Sequence, residues 1–241
     1  MRFERHDNRS AALEIHPSAV VSALSMKTPT AQRSSHLAEP THEDISRWRA
    51  ERERLMAAAE GDQAAMRHIY RAHVDMVFRT ASRVLGASDG DVDDVVQHTF
   101  LAAVQSAEAF DGRSKLSTWL VGIATRRALD HARARHRRGR WDRLKEWVGL
   151  APAAEPAPDA RHESRTTAER ALDVLTLDQR TAFVLHEVEG HTLQEISDMT
   201  GAGISTLHAR LGAARKRLDA HLLEAGLLSP GRVGVRTGGA R

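Results

Sequence analysis

Residues 192–218 read TLQEISDMTGAGISTLHARLGAARKRL, and this stretch decides the fold. Thr192 followed three residues later by Glu195 is a capping box: the hydroxyl bonds the N3 amide while the carboxylate returns to the cap amide. Ile196 and Met199 give the short helix behind it an inner face. Gly201 and Gly203 supply the left-handed conformations that a tight helix-to-helix turn requires, and Ser205 is expected to cap the next helix. There Leu207, Leu211, Ala214, Leu218 and Leu222 recur at helical spacing and form a core stripe. The opposite side carries Ser205, Thr206, Ala209, Gly212, Ala213 and Lys216, flanked by Arg210, Arg215 and Arg217, and no acid interrupts Ser205–Arg217. Small residues let a helix backbone approach base edges, and the cations hold phosphates. Capping, turn and charge together predict a helix-turn-helix suited to the major groove. The plainer alternative is an ordinary helical hairpin with a basic outer face.

The same helical period extends through most of the 241 residues, and no stretch alternates like a strand. Hydrophobic residues make up 41% of the chain but aromatics only 4%, so the core must be built from Leu, Val, Ile and Ala. The formal net charge of +3 conceals a local concentration: from Arg113 to Lys145, eleven Arg and Lys face only Asp130 and Asp142. Such clustering suits a phosphate-binding surface, where each neutralised phosphate releases condensed counterions. A solvated helix face is the other reading of the same run. The absence of cysteine excludes disulfides and thiolate metal sites and fits a reducing compartment. No apolar run approaches the roughly 18 residues of a membrane span, so a cytoplasmic protein without membrane insertion is expected.

These patterns predict an all-α chain of two small helical domains. Residues 1–44 mix Ser, Thr, Pro, His and Ala without period and read as a disordered N-terminal extension. The first domain spans 45–147. Residues 148–166 carry Pro152, Pro156 and Pro158 and read as a Pro-rich linker. The second domain spans 167–225, and 226–241 read as a disordered tail. Within the first domain, Asp62 opens a helix over 63–85 with apolar Ala65, Ile69, Val77 and Val84. Val92, Val95, Val96, Thr99 and Ala103 then make one buried stripe, leaving Asp94, Gln97, His98 and Leu101 on the other side. A leucine among polar residues suits a partner surface, or is a scattered surface apolar residue. A loop at Phe110–Ser114 precedes a helix that becomes strongly basic beyond Arg126. Trp119 at the edge of its Leu116, Leu120, Ile123 stripe either stacks on an unpaired strand or packs into the core.

Catalysis finds little support. Asp91, Asp93 and Asp94 resemble a carboxylate cluster, but they lie within one helical turn and point in different directions. The fourteen histidines form no ligand pair beside a catalytic Glu, and no GxxxxGKS loop is present. No cofactor and no metal are expected.

Taken together, AAEGDQAAMRHIYRAHVDMVFRTASRVLG, DVDDVVQHTFLAAV, FDGRSKLSTWLVGIATRRALDHARARHRR and ALDVLTLDQRTAFVLHEVEGHTLQEISDMTGAGISTLHARLGAARKRL, in that order, resemble the bacterial sigma factors of the extracytoplasmic-function (ECF) group of the sigma-70 family. The resemblance covers roughly 57–140 and 167–223 and implies the family's regions two and four. It implies a non-enzymatic initiation subunit that binds core RNA polymerase through the largest-subunit clamp helices and the flap. Asp94, Gln97, His98 and Leu101 would form the core-polymerase face. Phe110, Ser117, Thr118, Trp119, Arg126, Arg127 and Arg133 would capture the melted −10 element, with a base flipped from the stack. Ser205, Thr206, His208, Ala209, Arg210, Arg215 and Lys216 would read the −35 element as duplex. It implies an anti-sigma partner as well, and a cytoplasmic protein associated with the nucleoid when active. Arg126 stands where the family usually carries Asn, His98 where Glu is frequent, and Leu207–His208–Ala209 where many relatives have Val, a basic residue and Ser. The alternative function is a stand-alone helix-turn-helix repressor or activator on duplex operators.

Overall fold

The computed structural model describes residues 40–86, 90–147 and 167–226, and within these all regular structure is helical. The first half contains α1 (His42–Ala59), α2 (Gln63–Leu85), α3 (Val92–Gln105), a 3₁₀ turn (Ala107–Ala109) and the long α4 (Leu116–Trp147). The second contains α5 (Thr167–Ala171), a 3₁₀ turn (Leu172–Val174), α6 (Leu177–Phe183), a π-helical turn (Val184–Val188), α7 (Leu193–Thr200) and α8 (Ile204–Glu224). Residues 1–39, the linker at 148–166 and the tail beyond Gly226 lie outside the described residues. The first helix begins earlier than the periodicity indicates. Thr41 and Asp44 form a capping box, so α1 starts at His42 rather than near Ile45.

The caps explain where these helices begin. The Asp62 carboxylate accepts the amides of Ala64 and Ala65 at 2.7 and 3.2 Å, satisfying two donors that an α-helix leaves open. Thr176 with Gln179 and Thr192 with Glu195 complete capping boxes for α6 and α7. The apolar stripes then bury as their spacing demands. Ala65, Ile69, Val77 and Val84 of α2 meet Val92, Val95, Val96 and Ala103 of α3 and Leu116 and Leu120 of α4 in the interior. Phe100, which the stripe pattern passes over, is also buried, its ring 4.9 Å from Tyr70. In the second half, Leu207, Leu211, Ala214, Leu218 and Leu222 are each no more than 3% exposed and pack α8 against α6.

The proline-rich spacing suggests two tethered bodies, yet the two halves share one continuous apolar core. Helix α7 lies along α4, and α6 lies along α2. At the end of α2, Arg83 pairs with Glu189 at 2.7 Å, both side chains almost wholly buried. Gly86, at φ +98°, closes α2 directly beneath Arg180, whose Nη1 would lie 2.7 Å from any added Cβ. No sequence signal distinguishes these two arginines from their solvent-exposed neighbours.

Candidate nucleic-acid interface

Helices α7 and α8 form the predicted helix-turn-helix, with two local differences. Gly201 alone adopts the left-handed conformation (φ +72°), while Gly203 is extended and serves as the cap of α8. Ser205 is therefore the second residue of the helix rather than its cap. It is exposed instead, together with Thr206, His208, Ala209, Gly212, Ala213 and Lys216. A Cβ added at Gly212 would meet nothing within 4 Å, so the middle of this face is open and low enough for a backbone to approach base edges.

The arginines divide by their partners. Arg210 pairs with Asp178 at 2.5 Å, and Arg215 pairs with Glu187. Arg217 also donates to Gln179 at 3.4 Å. Although no acid interrupts Ser205–Arg217 within α8, α6 and the π-helical turn supply acids to two of its cations. Arg210 thus braces α8 on α6 and Arg215 braces it on the π-helical turn, whereas Lys216 projects from the open face.

The cap of α7 carries a pH signature. Burial works to raise the Glu195 carboxyl, but hydrogen bonds from His191 and Thr192 outweigh it, lowering its pKa from an ordinary 4.5 to about 2. A depressed folded-state pKa adds stability above the unfolded value, and that stability is lost as pH falls from about 4.5 through about 2. Urea midpoints at pH 6, 4 and 3 should fall more steeply for the native chain than for Glu195→Gln. Parallel declines would assign the acid sensitivity elsewhere.

In the first half, α1 holds the loop that introduces α4. Arg52 Nε donates to the Phe110 carbonyl at 2.9 Å, and the Glu51 carboxylate accepts the Leu116 amide at 3.2 Å. Gly112 turns the loop at φ +72° with Arg52 packed against it. Phe110, expected on the strand-capturing surface, is only 1% exposed, and its ring lies 5.3 Å from that of Trp119. In this conformation Phe110 supports Trp119 from beneath, because burying an aromatic side chain is strongly favoured in a core so poor in rings. Trp119 is half-buried, as are Ser117 and Thr118. Arg126, Arg127 and Arg133 are exposed, and Arg133 lies 3.8 Å from Asp130. Arg126 reaches the second half, donating to the Met199 carbonyl at 3.2 Å.

Asp94, Gln97, His98 and Leu101 share the solvent face of α3, with Leu101 49% exposed. Tyr70 and Phe78 of α2 are also exposed aromatics, and periodicity alone did not single them out. Asp91 turns toward His131 at 3.0 Å, while Asp93 and Asp94 face solvent, so the three carboxylates do not converge. Among the described residues no three His, Asp or Glu side chains are grouped to hold a metal ion, and no helix is long and apolar enough to cross a membrane.

Two family descriptions match the chain: Sigma-70 region 2 over residues 69–138 and Sigma-70, region 4 over residues 165–218. The first match falls on α2–α4, and the second on the half that carries the helix-turn-helix. The chain is 35% identical over 170 residues to the ECF RNA polymerase sigma factor SigE of Mycolicibacterium smegmatis, covering 68% of this chain and 65% of that protein. It is 31% identical over 170 residues to the ECF RNA polymerase sigma factor SigM of Mycobacterium tuberculosis, covering 70% of this chain and 83% of that one. Among solved structures, CnrH in complex with the cytosolic domain of CnrY is 30% identical, with a TM-score of 0.49 over 73% of this chain and 98% of that chain. The chain belongs to the ECF group of the sigma-70 family of RNA polymerase sigma factors.

Proposed function

We propose that the chain binds core RNA polymerase and confers promoter-specific initiation, with its first half opening the −10 element and its second half reading the −35 element as duplex. It performs no catalysis of its own; it lends strand selection to the polymerase. The supporting observation is the pairing, in one helical unit, of the exposed α3 face (Asp94, Gln97, His98, Leu101) with the basic α4 that starts beside Trp119. A stand-alone repressor has no use for either surface. Asp94, Gln97, His98 and Leu101 dock on the clamp helices. Ser117, Thr118, Trp119, Arg126, Arg127 and Arg133 hold the unpaired strand, on a platform that Phe110 supports. Ser205, Thr206, His208, Ala209 and Lys216 meet the −35 duplex, while Arg210 and Arg215 fix the angle at which they enter the groove. An anti-sigma protein is the expected inhibitor, and the place of action is the cytoplasm, at the nucleoid when active.

Run-off transcription with purified core polymerase on a genomic promoter library tests this reading. Discrete transcripts are expected only when core and the protein are both present. No core-dependent transcript, combined with tight duplex binding by the protein alone, would favour the repressor.

A further inference from the structure

Helix α1 precedes residues 69–138, the span matched to region 2, yet it holds both ends of the loop between Phe110 and Leu116. At the entry, Arg52 Nε donates to the Phe110 carbonyl at 2.9 Å. At the exit, the adjacent Glu51 carboxylate accepts the Leu116 amide at 3.2 Å. Leu116 opens α4, and the first amides of a helix find no partner within it. Glu51 therefore caps α4 from 65 residues away, with its negative charge at the helix end where the dipole favours it. Between these ties Gly112 is buried against α1: a Cβ there would stand 3.2 Å from Arg52 Cδ and 3.6 Å from the Trp48 carbonyl oxygen. The tip of the loop is open to solvent. Asp111 and Arg113 have side chains 60% and 89% exposed, and the Asp111 carboxylate accepts the Arg113 amide at 2.9 Å. From this tip the chain continues into Ser117, Thr118 and Trp119 of the first turn of α4.

We propose that Glu51 and Arg52 are positioning residues for promoter recognition, pinning the Phe110–Leu116 loop and the first turn of α4 in the shape that selects bases of the −10 strand. The inference rests on the proposed −10 role of α4 and adds to it a determinant on a different helix. Choosing between bases needs groups held in fixed positions, whereas attraction to phosphates carries no sequence information. With its ends free, the loop would have to be ordered by the strand itself, at a cost in backbone entropy. With the ties in place, that ordering is complete when the protein folds. The Arg52 tie also reaches the stacking surface, because the Phe110 ring lies 5.3 Å from that of Trp119. Loss of the ties leaves Arg126, Arg127 and Arg133 exposed on α4 as before. Attraction to the strand then persists while base selection weakens.

The test uses the full chain bound to core polymerase, on a promoter selected by run-off transcription and on copies with each −10 or −35 base exchanged in turn. Permanganate reactivity at sub-saturating protein gives the rate of strand opening. Discrimination is the rate on the selected promoter divided by the rate on an exchanged copy. Glu51→Ala/Arg52→Ala is expected to lower −10 discrimination about 10-fold, the value for a released loop that keeps the reading shape about a tenth of the time. Discrimination at the −35 element is expected to stay native, and circular dichroism to show native helix content. Glu51→Gln keeps an oxygen to accept the Leu116 amide, so it is expected to stay near native where Glu51→Ala loses part of the −10 discrimination. A purely structural role scales every rate by the fraction of folded protein and leaves both ratios unchanged; that result overturns the proposal. Glu51→Gln as impaired as Glu51→Ala overturns the part assigned to Glu51. If the double variant does not fold, Glu51→Ala and Arg52→Ala singly, each with one tie left, carry the same comparison. A native protein that opens all −10 exchanges equally well overturns the −10 reading itself, which tells that failure apart from failure of the ties alone.

Discussion

Phe110→Ala is expected to lower the unfolding free energy of the first half by about 3–5 kcal/mol, the usual range for deleting a buried aromatic ring. The side chain is 1% exposed, stands against Trp119, and belongs to a loop whose carbonyl and amide groups are held by Arg52 and Glu51 of α1. Few neighbouring rings are available to collapse into the space, so most of the cavity should remain. Phe110→Leu, which keeps more of the volume, is expected to cost clearly less. Urea unfolding followed by circular dichroism provides the measurement. A Phe110→Ala protein of native stability that no longer opens promoters would instead place the ring directly on the unpaired strand.

The second large effect concerns binding rather than folding. Asp94→Lys combined with Leu101→Ala is expected to weaken association with core polymerase by about 2–4 kcal/mol, roughly 30- to 1000-fold in Kd, if these residues sit at the centre of the docking face. Both positions are exposed on α3, and Leu101 is 49% exposed. Their replacement should therefore leave thermal stability nearly unchanged. Fluorescence anisotropy of labelled protein titrated with core reads the affinity, and duplex binding by α8 serves as the internal control. Native affinity in the doubly substituted protein would remove α3 from the interface.

Much of this architecture was legible because local chemistry and tertiary burial agree. Asp62 and Thr192 cap helices where their side chains make it favourable, and the stripes on α2, α3 and α8 are buried at the positions their spacing selects. The exposed side of α8 followed from the same spacing. What stayed hidden depends on contacts between residues far apart in the chain. Arg210 and Arg215 look like free cations within α8, and only the placement of Asp178 and Glu187 makes them braces. Phe110 looks like a loop aromatic, and only the position of α1 makes it core. Arg83 and Glu189 are 106 residues apart, and no local pattern indicates that they meet. Gly203 shows a smaller version of the same limit. Its pairing with Gly201 suggested two left-handed residues, but one already completes the turn and frees the other to cap α8.

On the proposed function, this chain opens promoter DNA only as part of polymerase. Permanganate reactivity of thymines around the −10 element, measured on a promoter selected by run-off transcription, reads this dependence on polymerase. Reactive, unpaired thymines are predicted when the protein and core polymerase are present together, and none with either alone. Duplex protection by the protein alone, with no thymine becoming reactive after core is added, would contradict strand opening within polymerase and leave a helix-turn-helix regulator in its place.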